Sequence, residues 1–177
     1  MSQVDGLDGL VGWVPCGQNA GMTDVVARDH WFLDGIPTDL TDRVVCAGQE
    51  VRYLPGDVIF HEGDPADGLY LIMAGAVRVT ATTADGDTTL AVVKSNEVLG
   101  ELGVLDGEPR SGTATAASMC VTYFLPTEPV LDLLEQSTLA CMRLLSLLTR
   151  RVRDTNVRLA DFPSHGTVMH EELPLGS

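Results

Sequence analysis

The stretch LPGDVIFHEGDPADGLYLIMAGAVRV, residues 54–79, decides the fold class of this 177-residue chain. Its runs of Val, Ile, Leu, Phe and Tyr are short, and PGD, EGDPADG and AG separate them. Short runs of residues with high β propensity, broken by glycine-rich turns, indicate antiparallel strands. The pattern continues from about residue 50 to 126, and it predicts a mainly β domain built as an antiparallel β-barrel or jelly roll.

Helices are expected on both sides of these strands. Residues 24–36 and 37–49 predict two short helices, the second with Pro37 and Thr38 at its start and Gly48 near its end. A helical period returns in TEPVLDLLEQS after Pro126 and in a long segment from about Thr138.

The chain is therefore expected to form one domain over residues 24–162. Its barrel covers about 50–126, and its C-terminal helices cover about 127–162. Residues 1–23 are expected to be a flexible lead and residues 163–177 a flexible tail.

The last predicted helix carries a stripe of residues with alternating spacings of four and three. This heptad pattern predicts a parallel pairing of two helices and hence a homodimer. The hydroxyl of Thr155, next to Asn156, either fixes the register of that pairing or meets a ligand. The stripe consists of Cys141, Leu145, Leu148, Val152, Thr155, Leu159 and Phe162.

Composition limits the partners. The net charge of −14 opposes binding to a nucleic acid backbone. We find no apolar run long enough to cross a bilayer and no secretory signal, so a cytoplasmic protein is expected. The cysteines Cys16, Cys46, Cys120 and Cys141 are far apart, which predicts buried free thiols rather than a disulfide framework.

The stretch GELGVLDGEPRSGTATAA, residues 100–117, carries the chemistry. Gly100 allows a short helical turn whose first amides point outward, which favours an anion. Arg110 adds a permanent charge suited to a phosphate, and Glu101 can accept a ribose hydroxyl. These residues together predict a nucleotide site. The alternative is an ion pair between Glu101 and Arg110 that only stabilises the turn.

This stretch resembles the phosphate-binding cassette of cyclic nucleotide-binding domains, most of all the sensor domain of bacterial cyclic-AMP receptor protein type regulators. Residues 54–79 are similar to the early strands of that family, and the resemblance covers about residues 30–162. The cassette residues that match in order are Gly100, Glu101, Leu102, Pro109, Arg110, Ser111, Gly112 and Thr113.

The resemblance implies a role for each site residue. Arg110 would bind the exocyclic phosphate oxygens, and Glu101 would accept the ribose 2′-OH. Backbone amides of Gly100, Leu102 and Ser111 would complete the site.

The base is implied in the same way. The serine at position 111 resembles the residue that bacterial cyclic-AMP receptor proteins carry there, so cyclic AMP is expected over cyclic GMP. Thr155 and Asn156 would meet the adenine amine, one from each subunit of a dimer.

The expected function is a regulatory module that binds a cyclic nucleotide and catalyses no reaction. It is expected to signal through its C-terminal helix, with an effector domain in a longer protein or in trans as the partner. A DNA-binding domain is not expected, since the chain ends 15 residues after Phe162. One alternative is a cupin-like metal enzyme, but no metal or cofactor is expected because His61 is the only histidine of the predicted barrel. The other alternative is a dimerisation scaffold that has lost its ligand.

Overall fold

The computed structural model of the chain describes residues 27–84 and 86–160. The expected flexible lead, residues 1–23, and the expected tail, residues 163–177, both lie entirely outside these residues. The elements in chain order are α1 Thr38–Ala47, β1 Gln49–Tyr53, β2 Val58–Phe60, β3 Gly68–Ala74, β4 Ala76–Thr83, β5 Gly86–Lys94, β6 Val98–Leu99, α2 Glu101–Asp106, β7 Thr113–Ala116, β8 Cys120–Pro126, α3 Thr127–Gln136 and α4 Thr138–Ala160.

The strands form two antiparallel four-stranded sheets, in the orders β1-β8-β3-β6 and β2-β7-β4-β5. The prediction of a mainly β jelly-roll fold with flanking helices is confirmed, although the sheets do not close into a barrel. The long pairing of β4 with β5 runs from Ala76 opposite Lys94 to Thr83 opposite Gly86. This hairpin forms the β5 edge of the β2-β7-β4-β5 sheet and extends along one side of the cavity described below.

Two hydrophobic cores pack the two sheets and the helices together. One lies between the two sheets and contains Tyr70, Ile72, Val77 and Leu99. The other lies between the β1-β8-β3-β6 sheet and the helices, where Leu69, Leu71 and Leu125 of the sheet pack near helical residues. Because successive side chains of β3 point to opposite faces, this one strand contributes to both cores.

The predicted helix over residues 37–49 is confirmed as α1, with Pro37 at its N-cap and Gly48 at its C-cap. The predicted helix over residues 24–36 is wrong for its described part beyond Arg28, which consists of turns. Several of these turns are closed by hydrogen bonds of mixed spacing, and Gly35 ends them with a φ of +68°. That left-handed conformation cannot continue a helix.

The cysteine prediction needs one correction. Cys120 and Cys141 are free, and Cys120 is fully buried. Cys46 is disulfide-bonded, so the expectation of a free thiol is wrong for this residue. Spacing along the chain could not indicate this, because a disulfide depends on how close two cysteines lie in space. Cys16 lies outside the described residues.

Helix α4 has two apolar faces. Ala140, Leu144 and Leu147 are buried against the domain. Leu145 and Val152, two members of the predicted stripe, are 56% and 59% exposed on another side of the helix. The inner face fixes which side of α4 packs against the domain, and the outer face is left exposed by the residues that the structure describes. Of the same stripe, Phe162 and the side chain of Leu159 lie outside what the structure describes.

Candidate functional site

Gly100 begins the site. It is the N-cap of the short helix α2 and has a φ of +85°, which side chains other than glycine rarely adopt. A Cβ atom at this position would lie 2.4 Å from Nη1 of Arg110. Glycine is therefore required here twice, once for the backbone turn and once for the space that the arginine takes.

Arg110 is buried beside this turn, with 3% of its surface exposed. Its Nη1 donates to the Gly100 carbonyl at 3.0 Å. Its Nη2 donates to the Gly68 carbonyl at 2.7 Å and to Oδ1 of Asp67 at 2.8 Å. Three of its five N–H groups are thus committed to the protein. Nε is buried and has no partner among the described residues.

Glu101, the first residue of α2, is completely buried. Its Oε1 accepts a hydrogen bond from Nη1 of Arg151, which comes from α4. Its Oε2 is buried without a partner among the described residues. Burial raises the pKa of the Glu101 carboxyl, while the positive charges of Arg151 and Arg110 oppose that rise.

The expected alternative, an ion pair between Glu101 and Arg110, is not what forms. Glu101 pairs with Arg151, and Arg110 pairs with Asp67. Glu101 and Arg110 are therefore each held by a residue far away in the sequence. In the part of the chain that the structure describes, this arrangement leaves Oε2 of Glu101 and Nε of Arg110 buried without hydrogen-bond partners.

A cavity of about 270 Å³ lies between the cassette, β5 and α4. Glu101 and Arg110 both line it, together with Ser111 and Gly112 from the segment that precedes β7. Its apolar wall comes from Phe60, Val79, Leu90, Val92, Leu99 and Leu147. A mainly apolar cavity with a few converging charged groups is typical of a small-molecule site.

The structure brings together most of the predicted site residues. Gly100, Leu102 and Thr155 line the same cavity as Glu101 and Arg110. The Thr155 hydroxyl donates to the Arg151 carbonyl at 2.9 Å, so its oxygen remains an acceptor.

Asn156 does not line this cavity, and its side chain is exposed. Successive residues of a helix differ in direction by about 100°, which turns Asn156 away from the cavity that Thr155 faces.

Sequence reasoning missed Arg151, Asp67 and Phe60. Arg151 also donates to the Val98 carbonyl, so it ties α4 to both β6 and α2. A signal for Arg151 existed: it lies four residues before Thr155 and hence on the same face of the helix. Asp67 and Phe60 gave no comparable signal, because only the strand pairing brings them to Arg110.

The described part of the chain holds neither a metal-binding cluster nor a membrane-spanning helix. Among these residues, no group of three or more His, Cys, Asp or Glu side chains is placed to hold a metal ion. Among those same residues, each helix is too short or too polar to cross a lipid bilayer.

Comparison with known proteins matches residues 50–137 to the family model of the cyclic nucleotide-binding domain. A cyclic AMP receptor protein of Thermus thermophilus is 32% identical over 129 residues, which cover 72% of this chain and 60% of that protein. A CRP-like cAMP-activated global transcriptional regulator of Mycobacterium tuberculosis is 28% identical over 141 residues, which cover 79% and 62%. The chain thus spans about three fifths of these relatives.

A solved structure matches over nearly its whole length. The N-terminal domain of a transcriptional regulator from Streptomyces coelicolor is 31% identical, with a TM-score of 0.56. The match covers 79% of this chain and 99% of that structure. Identity at this level over a complete domain indicates common descent as well as a common fold.

Proposed function

Because the chain belongs to the cyclic nucleotide-binding domain family, we propose that it binds cyclic AMP, in preference to cyclic GMP, in the cavity between α2 and α4. One observation carries this proposal. Oε2 of Glu101 and Nε of Arg110 are buried polar atoms without partners among the described residues, and both residues line that cavity. Buried polar atoms normally have partners, so this pair indicates a ligand with an acidic and a hydroxyl group.

The roles follow from the charges. Arg110 neutralises the cyclic phosphate, and its remaining N–H groups donate to the phosphate oxygens. Oε2 of Glu101 accepts a hydrogen bond from the ribose 2′-OH. The amides of Gly100, Leu102 and Ser111 complete the contacts to the phosphate and the sugar.

The preference for cyclic AMP has two supports. Ser111 lines the cavity with the residue type that the family resemblance links to cyclic-AMP readers. The two relatives above are named as a cyclic AMP receptor protein and a cAMP-activated regulator. Thr155 then accepts a hydrogen bond from the adenine amine, since its own hydroxyl hydrogen is used within the helix.

The test is calorimetry with four ligands on the unchanged chain: cyclic AMP, cyclic GMP, 2′-deoxy cyclic AMP and 5′-AMP. We expect cyclic AMP to bind tightest, and the loss of the 2′-OH to weaken binding about tenfold, because it leaves the Glu101 oxygen unpaired. A chain that binds none of the four refutes the proposal. Using ligand analogues avoids replacing Arg110, whose three hydrogen bonds to protein also support the fold.

We also propose that two copies pair through α4. The stripe face carries Leu145 and Val152, each more than half exposed, and Cys141 and Leu148, which are half-buried. Pairing would bury this face, and it would turn Asn156 toward the second copy rather than toward its own cavity.

Sedimentation separates this pairing from a monomer. Replacing Leu145 and Val152 by glutamate should convert a dimer into a monomer. Val157→Glu is the matched control, since Val157 is 62% exposed but lies on another side of α4. A wild-type chain that stays monomeric at high concentration would exclude the dimer.

The output of such a module would pass through α4. Arg151 joins α4 to Glu101, so a ligand that engages Glu101 acts on the same contact that positions the helix. We propose that the chain acts as a cytoplasmic regulatory module.

The enzyme alternative has its own assay. Prolonged incubation with cyclic AMP should leave the nucleotide unchanged by chromatography. Production of 5′-AMP, abolished by Glu101→Gln, would favour an enzyme.

A further inference from the structure

An aromatic cluster lies beneath the guanidinium of Arg110. The guanidinium carbon is 4.4 Å from the ring centroid of Phe60 and 5.9 Å from that of Tyr70. The Phe60 and Tyr70 centroids are 6.0 Å apart, and those of Tyr70 and Phe124 are 5.0 Å apart. We call Phe60, Tyr70 and Phe124 the aromatic floor.

The floor meets a part of the arginine that hydrogen bonds do not reach. Gly68, Gly100 and Asp67 contact the edges of the guanidinium. Its flat face is free to stack, and a buried cation needs compensation there because water is excluded. The pairing with Asp67 is screened, since that side chain is 67% exposed. An electron-rich ring face in contact range supplies the missing compensation.

The cluster also fixes the backbone around the arginine. A Cβ atom on Gly68 would lie 2.6 Å from Cε2 of Phe124, so the ring and the glycine are packed against each other. The Gly68 carbonyl in turn accepts a hydrogen bond from Arg110. The floor therefore sets the position of the guanidinium from below and, through Gly68, from the side.

We propose that Phe60, backed by Tyr70, is a positioning residue for the phosphate of the ligand: its ring face holds the Arg110 guanidinium by a cation–π contact. This inference rests on the proposed cyclic nucleotide function. The ring keeps the plane of the cation fixed, so that the N–H groups left free by the protein remain directed to the cavity. An aliphatic side chain of similar volume would fill the space but would not hold the charge.

The experiment varies the charge of the ring face at nearly constant shape. Phe60 is replaced by phenylalanines carrying one, two or three ring fluorines, which withdraw electron density from the face stepwise. The dissociation constant for cyclic AMP should rise with each fluorine and reach about fivefold to tenfold with three. Phe32, which is fully buried in the other core, carries the same fluorines as the control and should leave the affinity unchanged.

Ordinary substitutions add a second readout. Phe60→Tyr should keep the affinity, and Phe60→Leu should lower it by a similar fivefold to tenfold. If the wild type binds cyclic AMP and the fluorinated Phe60 chains bind it equally tightly, the cation–π role is overturned and the proposed function stands.

A wild type that binds no cyclic nucleotide would instead refute the proposed function. The floor is then tested without ligand, by unfolding the fluorinated chains with and without Arg110→Met. A coupling between position 60 and Arg110 that weakens with each fluorine supports the contact. The absence of coupling overturns it.

Discussion

Replacing Glu101 by glutamine should stabilise the ligand-free protein while weakening its ligand binding. The carboxylate is fully buried, one of its oxygens has no partner among the described residues, and burial raises its pKa. Taking a charge of this kind out of water costs several kcal/mol, of which the pair with Arg151 returns a part. Glutamine keeps the shape without the charge. We expect a higher free energy of unfolding and a higher Tm at neutral pH, because a raised pKa means that the charge of Glu101 is a net cost to the folded state there.

The pH dependence of this gain gives the stricter test. A raised pKa means that the folded state binds a proton at Glu101 more tightly than the unfolded chain does. The free energy of unfolding of the wild type therefore falls as pH rises from the ordinary carboxyl value of 4.5 through the raised one, and the cost is complete above it. The glutamine variant lacks this loss. The difference in stability should be absent in acid and should grow to a plateau toward neutral pH.

The assay is chemical denaturation of both chains between pH 4 and 8, with Glu108→Gln as the control because Glu108 is exposed. Binding of cyclic AMP to Glu101→Gln should weaken about tenfold, since a charge-assisted hydrogen bond becomes a neutral one. Binding of 2′-deoxy cyclic AMP should change little. A glutamine variant that is less stable at pH 7, or a stability difference that does not vary with pH, would refute the reasoning.

Three other outcomes are expected. Gly100→Ala should lower the affinity for cyclic AMP more than tenfold and lower the free energy of unfolding by about 1 to 2 kcal/mol, because its Cβ would lie 2.4 Å from Arg110. The control is Gly107→Ala, which should cost only backbone strain, because Gly107 has a φ of +74° and open space around it. Equal losses of affinity in the two variants would contradict the clash. Arg151→Gln should speed hydrogen exchange of the α4 amides without ligand, and unchanged exchange would remove its role as the tie to α2. Burial lowers the pKa of His30 to about 4, so the unfolded chain binds a proton at this residue before the folded protein does. The free energy of unfolding should therefore fall as pH drops from 6.5 toward 4, and His30→Gln should reduce this fall by a few kcal/mol. An unchanged fall would assign the acid sensitivity to other groups.

Local signals in the sequence were enough for the strands and for the cassette. Short apolar runs between glycine-rich turns indicated the strands, and Pro37 and Gly48 indicated the two ends of α1. The wrong expectations concerned residues whose state depends on distant partners. The turns after Arg28 look helical in composition, but Gly35 takes a left-handed conformation, and Cys46 is disulfide-bonded.

The sequence by itself determined the jelly-roll class, the cassette and the identity of Glu101 and Arg110 as its charged pair, because glycine turns and fixed charges act over a few residues. Only the tertiary structure decided which residues hold that pair. Asp67 reaches Arg110 across 43 residues and Arg151 reaches Glu101 across 50. These contacts depend on strand pairing and on the rotation of α4, which the burial of Ala140, Leu144 and Leu147 sets, and neither is encoded in any short stretch of the chain.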